Sequence, residues 1–208
     1  MSNNKKKIQK YLNSDTFQVR SECGISIVKA KLKIINAELK LQYNRDVIHS
    51  TTSRLKIYGS VMDKMNRKGL EDDVDIMLEH INDLVGIRAV CSYTDDLYEV
   101  AELLCAQKDV RLLKQKDYIK EPKTSGYRSL HLIVEVPICL GEGTQWVKME
   151  VQLRTAAMDY WANLDYQLQY KKSKKKAQVI GEELKEYAKT IEEMDRKVLE
   201  LRKRIERL

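Results

Sequence analysis

The sequence predicts an α+β (α/β) protein with a mixed sheet flanked by helices and with helical extensions at both ends. Two observations predict this class. Apolar residues recur with helical spacing near both ends of the chain, whereas the middle alternates helical segments with strands of two-residue periodicity. With 208 residues, 43% of them hydrophobic, the chain can bury the core of one domain that carries an appendage.

The two ends of the chain have the spacing of amphipathic helices. From about Ser2 to Tyr43 the apolar positions are Val28, Leu32, Ile35 and Leu39. From Gly181 to Leu208 two series repeat every seven residues: Leu184, Ile191, Val198 and Ile205, and Tyr187, Met194, Leu201 and Leu208. Such a stripe predicts a helix that packs either on its own domain or against another subunit. The lysine run Lys171–Lys176 before it predicts a solvated, mobile linker.

The middle of the chain, about Arg54 to Tyr170, alternates strands and helices. The predicted strands are Ile87–Tyr93, Tyr127–Pro137 and Gln145–Arg154, and the predicted helices are Asp95–Gln107 and a segment from its N-cap Thr155 to about Tyr170. Turn residues at Gly141–Gly143 separate the last two strands, which predicts an antiparallel hairpin.

Both strands of this hairpin carry polar residues at every second position. They are Tyr127, Ser129 and His131 on the first strand, and Lys148, Glu150, Gln152 and Arg154 on the second. A sheet with one face in water is one interpretation. The chemical variety of these side chains, with Tyr, His and Gln beside the charges, favours a ligand-binding face.

A second cluster combines basic residues with a predicted helix start. Its members are Arg54, Lys56, Ser60, Lys64, Arg67 and Lys68. We expect Ser60 to cap the helix with Asp63 as its partner, and a helix start beside cations suits a triphosphate. A charged surface helix is the alternative. Asp83 and Arg88 form a further pair at the start of a strand, where a lone Asp is otherwise typical of a turn.

Composition narrows the class of protein. A formal net charge of +7 favours polyanionic partners. Nucleotides, nucleic acid and anionic membrane surfaces are all compatible with this charge.

The four cysteines, Cys23, Cys91, Cys105 and Cys139, are too scattered to predict a zinc site, and a chain of this size does not need disulfides. We find no signal peptide and no membrane-spanning run, so we expect a soluble, cytoplasmic protein.

Six short motifs are similar, in order, to those of a known family. They are Arg54–Lys56 (RLK), Asp83–Arg88 (DLVGIR), Lys116–Ile119 (KDYI), Gly126–His131 (GYRSLH), Glu150–Thr155 (EVQLRT) and Met158–Ala162 (MDYWA). The region from about Arg54 to Lys172 resembles the RelA/SpoT-type alarmone synthetase domain. The chain as a whole resembles a stand-alone small alarmone synthetase, which lacks the hydrolase and regulatory domains of the long family members.

The resemblance implies a nucleotidyltransferase-like fold with about five, mostly antiparallel strands. It implies a synthetase domain at 51–172, preceded by a helical region at 1–50 and followed by a basic linker and an amphipathic helix at 173–208. It further implies a GTP/GDP pyrophosphokinase, which transfers pyrophosphate from ATP to the 3′-hydroxyl of GTP or GDP and yields pppGpp or ppGpp plus AMP. Mg²⁺ is the implied cofactor, because it prefers carboxylate oxygens.

The resemblance also implies roles for individual residues. Asp83 is implied as the principal magnesium ligand, and Glu150 as the general base and a second candidate ligand, whose contact with the metal is undecided. The implied ATP-binding residues are Arg54 and Arg88 at the adenine, and Lys56, Ser60, Lys64, Arg67 and Lys68 at the phosphates. The implied GTP/GDP-binding residues are Tyr127, which stacks on guanine, and Lys116, Lys123, Ser129, His131, Gln152 and Asp159.

Five positions depart from the family pattern. Asp159 stands where some small synthetases have Asn, Ser125 stands where long members have Asn, and Lys116 replaces an Arg. Asp165–Tyr166 replaces a Glu-His pair. None of these departures removes the implied metal ligand or base, so the sequence predicts an active enzyme.

Other hypotheses stay open on the sequence. A catalytically silent module that binds alarmone or RNA is the competing hypothesis, although the intact Asp83 and Glu150 count against it. The terminal helices and the resemblance together predict a homo-oligomer, with a tetramer favoured. Control by an alarmone at a subunit cleft is undecided, since His49–Ser53 lacks the aromatic residue expected there. Control by single-stranded RNA is left open as well. The preference between GTP and GDP is undecided as well.

Overall fold

The computed structural model describes residues 2–141, 143–169 and 174–207, without the side chains of 169 and 174–179. Within these ranges the elements follow in this order: α1 (Asn3–Leu12), α2 (Asp15–Tyr43), β1 (Ile48–Leu55), α3 (Tyr58–Arg67), α4 (Val74–His80), β2 (Val85–Cys91), α5 (Thr94–Cys105), β3 (Arg111–Asp117), β4 (Leu130–Leu140), β5 (Gly143–Thr155), α6 (Ala156–Gln169) and α7 (Lys174–Ile205). None of these helices combines the length and the apolar character that crossing a membrane requires.

Five strands form one sheet in the order β1-β2-β5-β4-β3. Three neighbouring pairs are antiparallel, and the pair of β2 with β5 is parallel. A parallel pair needs a long crossover, and here α5, β3 and β4 lie between the two strands in the chain. The predicted mixed, mostly antiparallel sheet of about five strands, flanked by helices, is confirmed.

The sequence located the hairpin and its flanking helices but misplaced several ends. Strand β4 begins at Leu130 rather than at Tyr127, so Tyr127 lies in the connection that precedes the strand. Strand β3 and helix α4 were not predicted, and β1 was recognised only as an extended segment near Arg54. Strands β1 and β3 are largely exposed edge strands without regular apolar alternation, which is the signal that identifies a half-buried strand. Residue 142 of the predicted turn lies outside the described residues.

Helix α2 covers the aliphatic face of the sheet. Its buried side chains include the four predicted ones, Val28, Leu32, Ile35 and Leu39. The helix approaches β5 closely at Gly24, where a Cβ atom would lie 2.9 Å from side-chain atoms of both Met149 and Val147. Ser14 separates α2 from α1, because its hydroxyl accepts a hydrogen bond from Phe17 N at 3.3 Å and caps the second helix. Because α2 covers the aliphatic face, the polar side chains of β4 and β5 lie on the opposite face of the sheet.

The two predicted helix caps have different outcomes. Thr155 Oγ1 accepts a hydrogen bond from Met158 N at 3.1 Å, which confirms the cap of α6. The cap at Ser60 is wrong, because α3 already begins at Tyr58 and Ser60 lies inside its first turn. The expected pairing with Asp63 is wrong for the same reason.

Helix α7 packs on the domain with one stripe of side chains and exposes another. Leu184 and Ala188 are buried in a small cluster with Trp161 of α6. We call the exposed apolar side chains the outer stripe, and they are Tyr187, Met194, Val198, Leu201 and Ile205, each 43% to 61% exposed. The prediction that the helix packs on its own domain is thus confirmed at Leu184, whereas Val198 and Ile205 of the same seven-residue series belong to the exposed outer stripe.

The lysine-rich segment before α7 is helical in part. The helix begins at Lys174, so the predicted mobile linker is wrong for Lys174–Lys176. Lysine is a good helix former, and a run of lysines extends a helix that is anchored farther along. Lys171–Ser173, and Leu208 at the other end of the predicted stripe, lie outside the described residues.

Candidate active site

The strand register brings two rows of residues onto the sheet face opposite α2. The first row crosses four strands through successive register partners: Arg88, Gln152, His131 and Lys116. The second row crosses three strands: Arg54, Gly86 and Glu150. Because residues two apart on a strand share a face, the two rows form one continuous polar surface.

This polar surface is not the water-exposed side of the sheet. His131, Glu150 and Arg154 are 6%, 7% and 4% exposed. Residues of α6 and of the connection between β3 and β4 complete the walls of a cleft of about 580 Å³. Buried polar groups require partners, and a cleft lined by so many of them is suited to a polar ligand. The interpretation as a ligand-binding face is favoured over the solvated face.

Asp83, between α4 and β2, is held by two lysines at the cleft wall. Its Oδ2 lies 2.9 Å from Lys56 Nζ, and its Oδ1 lies 2.8 Å from Lys64 Nζ. Burial by itself raises the pKa of Asp83, but Lys64 and Lys56 outweigh burial and hold the pKa at about 2. Asp83 is therefore ionised at neutral pH within a cluster whose net charge is positive.

Glu150, on β5, is the second carboxylate of the cleft. Gln152 Nε2 donates to its Oε1 at 2.6 Å, and His131 Nδ1 lies 3.3 Å from its Oε2. Burial raises the pKa of Glu150, but the contacts with His131 and Gln152 lower it more, and the pKa is about 2. The negative charge of Asp83 also raises this pKa, so the two carboxylates lie within electrostatic range of each other.

Arg154, which the sequence did not single out as a site residue, completes a closed ring of hydrogen bonds. Its guanidinium donates to Gln152 Oε1 at 2.8 Å and to the Tyr127 hydroxyl at 2.7 Å. The Tyr127 oxygen lies 2.8 Å from His131 Nε2, and both His131 and Gln152 contact Glu150. A signal was present, because Arg154 shares its strand face with Glu150 and Gln152.

The imidazole of His131 closes this ring between Tyr127 and Glu150. Arginine can only donate, so the Tyr127 oxygen accepts from Arg154. The same oxygen shares a hydrogen bond with His131 Nε2, and the other ring nitrogen of His131 faces Glu150. The ring therefore ties Tyr127 to Glu150 through the side chain of His131.

Aromatic and basic side chains surround Tyr127. Its ring is tilted edge-on to those of Tyr118, His131 and Trp161, with centroid distances of 6.0, 5.8 and 6.4 Å. Lys123 Nζ lies 4.6 Å from the Tyr127 ring centroid. This part of the cleft can offer both an aromatic surface and a positive charge to a nucleotide.

Asp159, in the first turn of α6, holds two arginines in place. Its Oδ1 lies 3.0 Å from Arg88 NH1 and 2.9 Å from Arg154 NH1. Asn163 Nδ2 donates to its other oxygen at 3.2 Å. Both oxygens of Asp159 are thus engaged, and the expected contact with the guanine edge stays a prediction.

Most residues that the sequence singled out meet at the cleft. Its walls include Arg54, Lys64, Asp83, Arg88, Lys116, Lys123, Tyr127, His131, Glu150 and Gln152. Lys56 and Asp159 lie behind these walls, each paired with a wall residue. The sequence motifs therefore converge in space although they are spread over more than half of the chain.

Besides Lys56 and Asp159, four further expected nucleotide-binding residues lie outside the cleft walls in the part of the chain that the structure describes. Ser129 is fully buried and donates to a main-chain oxygen of β5 at 3.1 Å. Lys68 Nζ donates to the main-chain oxygen of His80 at 2.9 Å. Ser60 and Arg67 belong to α3. Contacts of these four side chains with a nucleotide stay predictions.

The two carboxylates fit a magnesium ion by their chemistry. Mg²⁺ takes one or two ligands from protein and completes its shell with water and substrate phosphates. Asp83 and Glu150 are both ionised and both line the cleft. Among the described residues no group of three or more His, Cys, Asp or Glu side chains could hold a metal ion. The donor set therefore suits a metal ion that arrives with nucleotide phosphates.

Comparison with known proteins identifies the family. Residues 53–175 match the family described as the region found in RelA and SpoT proteins. The chain belongs to the RelA/SpoT family. The matched region contains all six motifs on which the resemblance rests, so that resemblance is confirmed.

Named relatives and solved structures extend the match beyond this RelA/SpoT region. The chain is 40% identical to the GTP pyrophosphokinase YwaC of Bacillus subtilis over 183 residues, 88% of this chain and 87% of the relative. The crystal structure of small alarmone synthetase 1 from Bacillus subtilis has a TM-score of 0.82 at 31% identity and covers 93% of this chain and 98% of that one. The same synthetase bound to its product pppGpp has a TM-score of 0.77 at 32% identity and covers 87% and 92%. The small RelA/SpoT proteins thus share the terminal helices as well as the sheet.

Proposed function

We propose that this RelA/SpoT protein is a GTP/GDP pyrophosphokinase. It transfers the β,γ-pyrophosphate of ATP to the 3′-hydroxyl of GTP or GDP, and its products are pppGpp or ppGpp and AMP. The bond from the 3′-oxygen to the β-phosphorus forms, and the bond from the β-phosphorus to the α-phosphate oxygen breaks. The names of its relatives, GTP pyrophosphokinase and small alarmone synthetase, support this activity.

The observation that carries the proposal is the meeting of two ionised carboxylates and many cations in one cleft over the buried polar face of the sheet. Asp83 and Glu150 line the same cleft as the side chains of Arg54, Lys64 and Arg88. Pyrophosphoryl transfer concentrates negative charge, and fixed cations shielded from water stabilise that charge. The cleft volume of about 580 Å³ lies in the range of small-molecule sites.

ATP is proposed to bind at the end of the cleft formed by β1 and β2. The side chain of Arg54 lies over Gly86, where a Cβ atom would be 3.6 Å from Arg54 Cγ, and Arg88 follows two residues later on β2. Guanidinium groups stack well on planar rings, so two of them on adjacent strands suit an adenine base. The residues proposed for the phosphates are Lys56 and Lys64, with Ser60, Arg67 and Lys68 farther from the cleft.

The guanosine nucleotide is proposed to bind at the end of the cleft formed by β4 and β3. Tyr127 supplies the aromatic surface for guanine, and Lys116 and Lys123 supply charge for the 5′-phosphates. His131 lies between Tyr127 and Glu150 in the hydrogen-bond ring, which leaves a place for the ribose next to Glu150. Gln152 borders the same place, whereas Ser129 and Asp159 support the wall from behind.

Glu150 is proposed to accept the proton of the 3′-hydroxyl. A carboxylate with a pKa of about 2 is ionised at neutral pH but is a weak base. We therefore assign Glu150 to orient the hydroxyl and to take its proton only as the new O–P bond forms, which suits a loose transition state. Mg²⁺, with Asp83 as its principal ligand and Glu150 as a further contact, would neutralise charge on the transferred phosphates.

Incubation of the pure protein with labelled ATP, Mg²⁺ and either GTP or GDP tests the proposal, with products separated by anion exchange. We expect a guanosine tetra- or pentaphosphate and an equal amount of AMP, and both should require Mg²⁺ and the acceptor. A folded protein that binds both nucleotides and forms no product would instead support the silent binding module. The yields with GTP and GDP rank the two acceptors.

A further inference from the structure

Helix α7 packs directly behind the segment that carries Tyr127. This segment, Ile119–Ser129, joins β3 to β4, and we call it the acceptor loop. Gly126 N donates to Lys123 O at 2.8 Å, and Lys123 N donates to Tyr127 O at 3.2 Å. Residues 123–127 of the loop therefore form a tight turn, and Tyr127 is its last residue.

Gly126 allows the acceptor loop and α7 to approach closely. Its φ of +91° favours glycine, and a Cβ atom there would lie 2.7 Å from the Cβ of Ala188 on α7. Trp161 closes the same corner, because its ring is 3.5 Å from that Cβ position and its Nε1 donates to Leu184 O at 2.8 Å. The back of the loop thus packs closely on α7 at Gly126.

Arg128 links the start of the acceptor loop to α7. Its NH1 donates to Ile119 O at 2.7 Å, and its NH2 donates to the carboxylate of Glu192. The side chain of Arg128 is 17% exposed. The described cleft walls include Tyr127 but not Arg128, so this motif residue faces the helix rather than the substrates.

The helix is also fixed to parts of the domain outside the acceptor loop. Thr155 Oγ1, at the junction of β5 and α6, donates to Asp195 Oδ2 at 2.6 Å. Near the end of the helix, Arg202 NH2 donates to Asp95 Oδ2 at 2.6 Å, at the first turn of α5. Because α7 is anchored at these sites, it can hold the acceptor loop against the rest of the domain.

We propose that α7 positions the acceptor loop, with Arg128 and Glu192 as the positioning residues for Tyr127 and Lys123. The inference rests on the proposed function, since that function assigns the acceptor loop to the guanosine nucleotide. Without the hydrogen bond between Arg128 and Glu192, the acceptor loop also populates conformations that do not bind GDP. The apparent affinity for GDP then falls in proportion to the fraction of molecules whose loop is in the binding conformation. The proposed ATP contacts lie on β1, β2 and α3, at the other end of the cleft.

The test compares Glu192→Ala with Glu200→Ala. Glu200 forms an ion pair with Arg196 of the same helix at 2.7 Å. Glu200→Ala therefore also removes one ion pair of α7, but at a position away from the acceptor loop. We expect Glu192→Ala to raise the KM for GDP by a factor of about five to ten, the loss typical of a partly exposed charge-assisted hydrogen bond. Glu192→Gln should give a smaller rise because the amide oxygen still accepts from Arg128. The KM for ATP and the kcat at saturating GDP should stay within about twofold in all three variants.

Two results overturn the proposal. One is an equal KM for GDP in Glu192→Ala and Glu200→Ala, and the other is a parallel rise in the KM for ATP and for GDP. Calorimetric titration with GDP repeats the comparison without turnover. A wild-type protein that binds GDP but forms no product contradicts the proposed function alone, and the GDP dissociation constants of the two alanine variants then decide whether α7 positions the loop.

Discussion

Asp83 and Glu150 have similarly low pKa values for different reasons, and the difference separates their roles. Asp83 is bound by two lysine ammonium groups, so it lies at the centre of a cationic cluster suited to phosphates and a metal ion. Glu150 is bound by a side-chain amide and an imidazole. A hydroxyl group can replace either of these weaker donors more readily than it can replace an ammonium group. The residue environments thus favour Glu150 as the partner of the 3′-hydroxyl.

Replacing Glu150 by Gln should remove the proton acceptor and keep the fold. We expect pyrophosphate transfer to fall by a factor of about 10² to 10⁴, as is typical for loss of a general base. The measurement is AMP formation at saturating ATP and GDP. Glu135→Gln is the matched control, because Glu135 shares this sheet face but lies outside the described cleft walls. Retention of more than a tenth of the activity in Glu150→Gln contradicts the assignment.

Asp83 should make the ligand-free protein sensitive to acid in a defined range. Its pKa is lowered from 3.8 to about 2 in the folded state, so the unfolded chain binds the proton at higher pH. The resulting stabilisation, about 2 kcal/mol, is complete above about pH 4 and is lost as the pH falls toward 2.

Urea unfolding at a series of pH values checks this prediction. In Asp83→Asn the free energy of unfolding should depend less on pH between 4 and 2 than in the wild type. Asp63→Asn, at an exposed position on α3, should leave the wild-type slope unchanged. Equal slopes in the wild type and Asp83→Asn would show that the lysines do not stabilise this carboxylate.

At the scale of elements, the close approach of α2 to β5 depends on one glycine. A Cβ at Gly24 would lie 2.9 Å from Met149 Cε and 2.9 Å from Val147 Cγ1. Alanine favours the helix by about 1 kcal/mol over glycine, but overpacking costs about 1 to 3 kcal/mol. We expect Gly24→Ala to lower the free energy of unfolding by about 1 kcal/mol, because the branched Val147 cannot move aside as the end of Met149 can.

Gly181→Ala is the matched control for this substitution. Gly181 also lies within a helix, α7, but a Cβ atom there meets no atom within 4 Å. We expect it to raise the free energy of unfolding by up to about 1 kcal/mol. Urea unfolding measures both variants, and equal stability changes in the two would show that α2 does not pack tightly at Gly24.

The sequence predicts those elements whose pattern is local. Hairpin β4–β5 was predicted because its alternation and its turn residues are continuous in the chain. The parallel pairing of β2 with β5 was not predicted, since it joins strands that are distant in sequence. The same contrast between local and long-range features holds for the residues of the site. The motifs located Glu150 and Tyr127, whereas the ring through Arg154 depends on register and on side-chain geometry that no local pattern contains.

At the scale of the whole molecule, the two long helices carry exposed apolar side chains that the domain itself does not cover. On α7 they form the outer stripe, and on α2 Ile34 and Leu41 are 63% and 90% exposed. The outer stripe follows the spacing of a helix seam, at intervals of three, four and seven residues. We propose that it packs against a second copy of this chain, which agrees with the predicted homo-oligomer.

Charge substitution in the outer stripe tests this assembly. Met194→Glu combined with Leu201→Glu should abolish the contact, because it requires two carboxylates to be buried between copies without partners. Light scattering at micromolar concentration should give a multiple of the 24.3 kDa chain mass for the wild type, a tetramer by our prediction, and a smaller assembly for the double variant. Lys197→Glu, at an exposed position of α7 that pairs with Glu193 at 2.7 Å, should keep the wild-type mass. A monomeric wild type contradicts the prediction, as does an unchanged mass of the double variant.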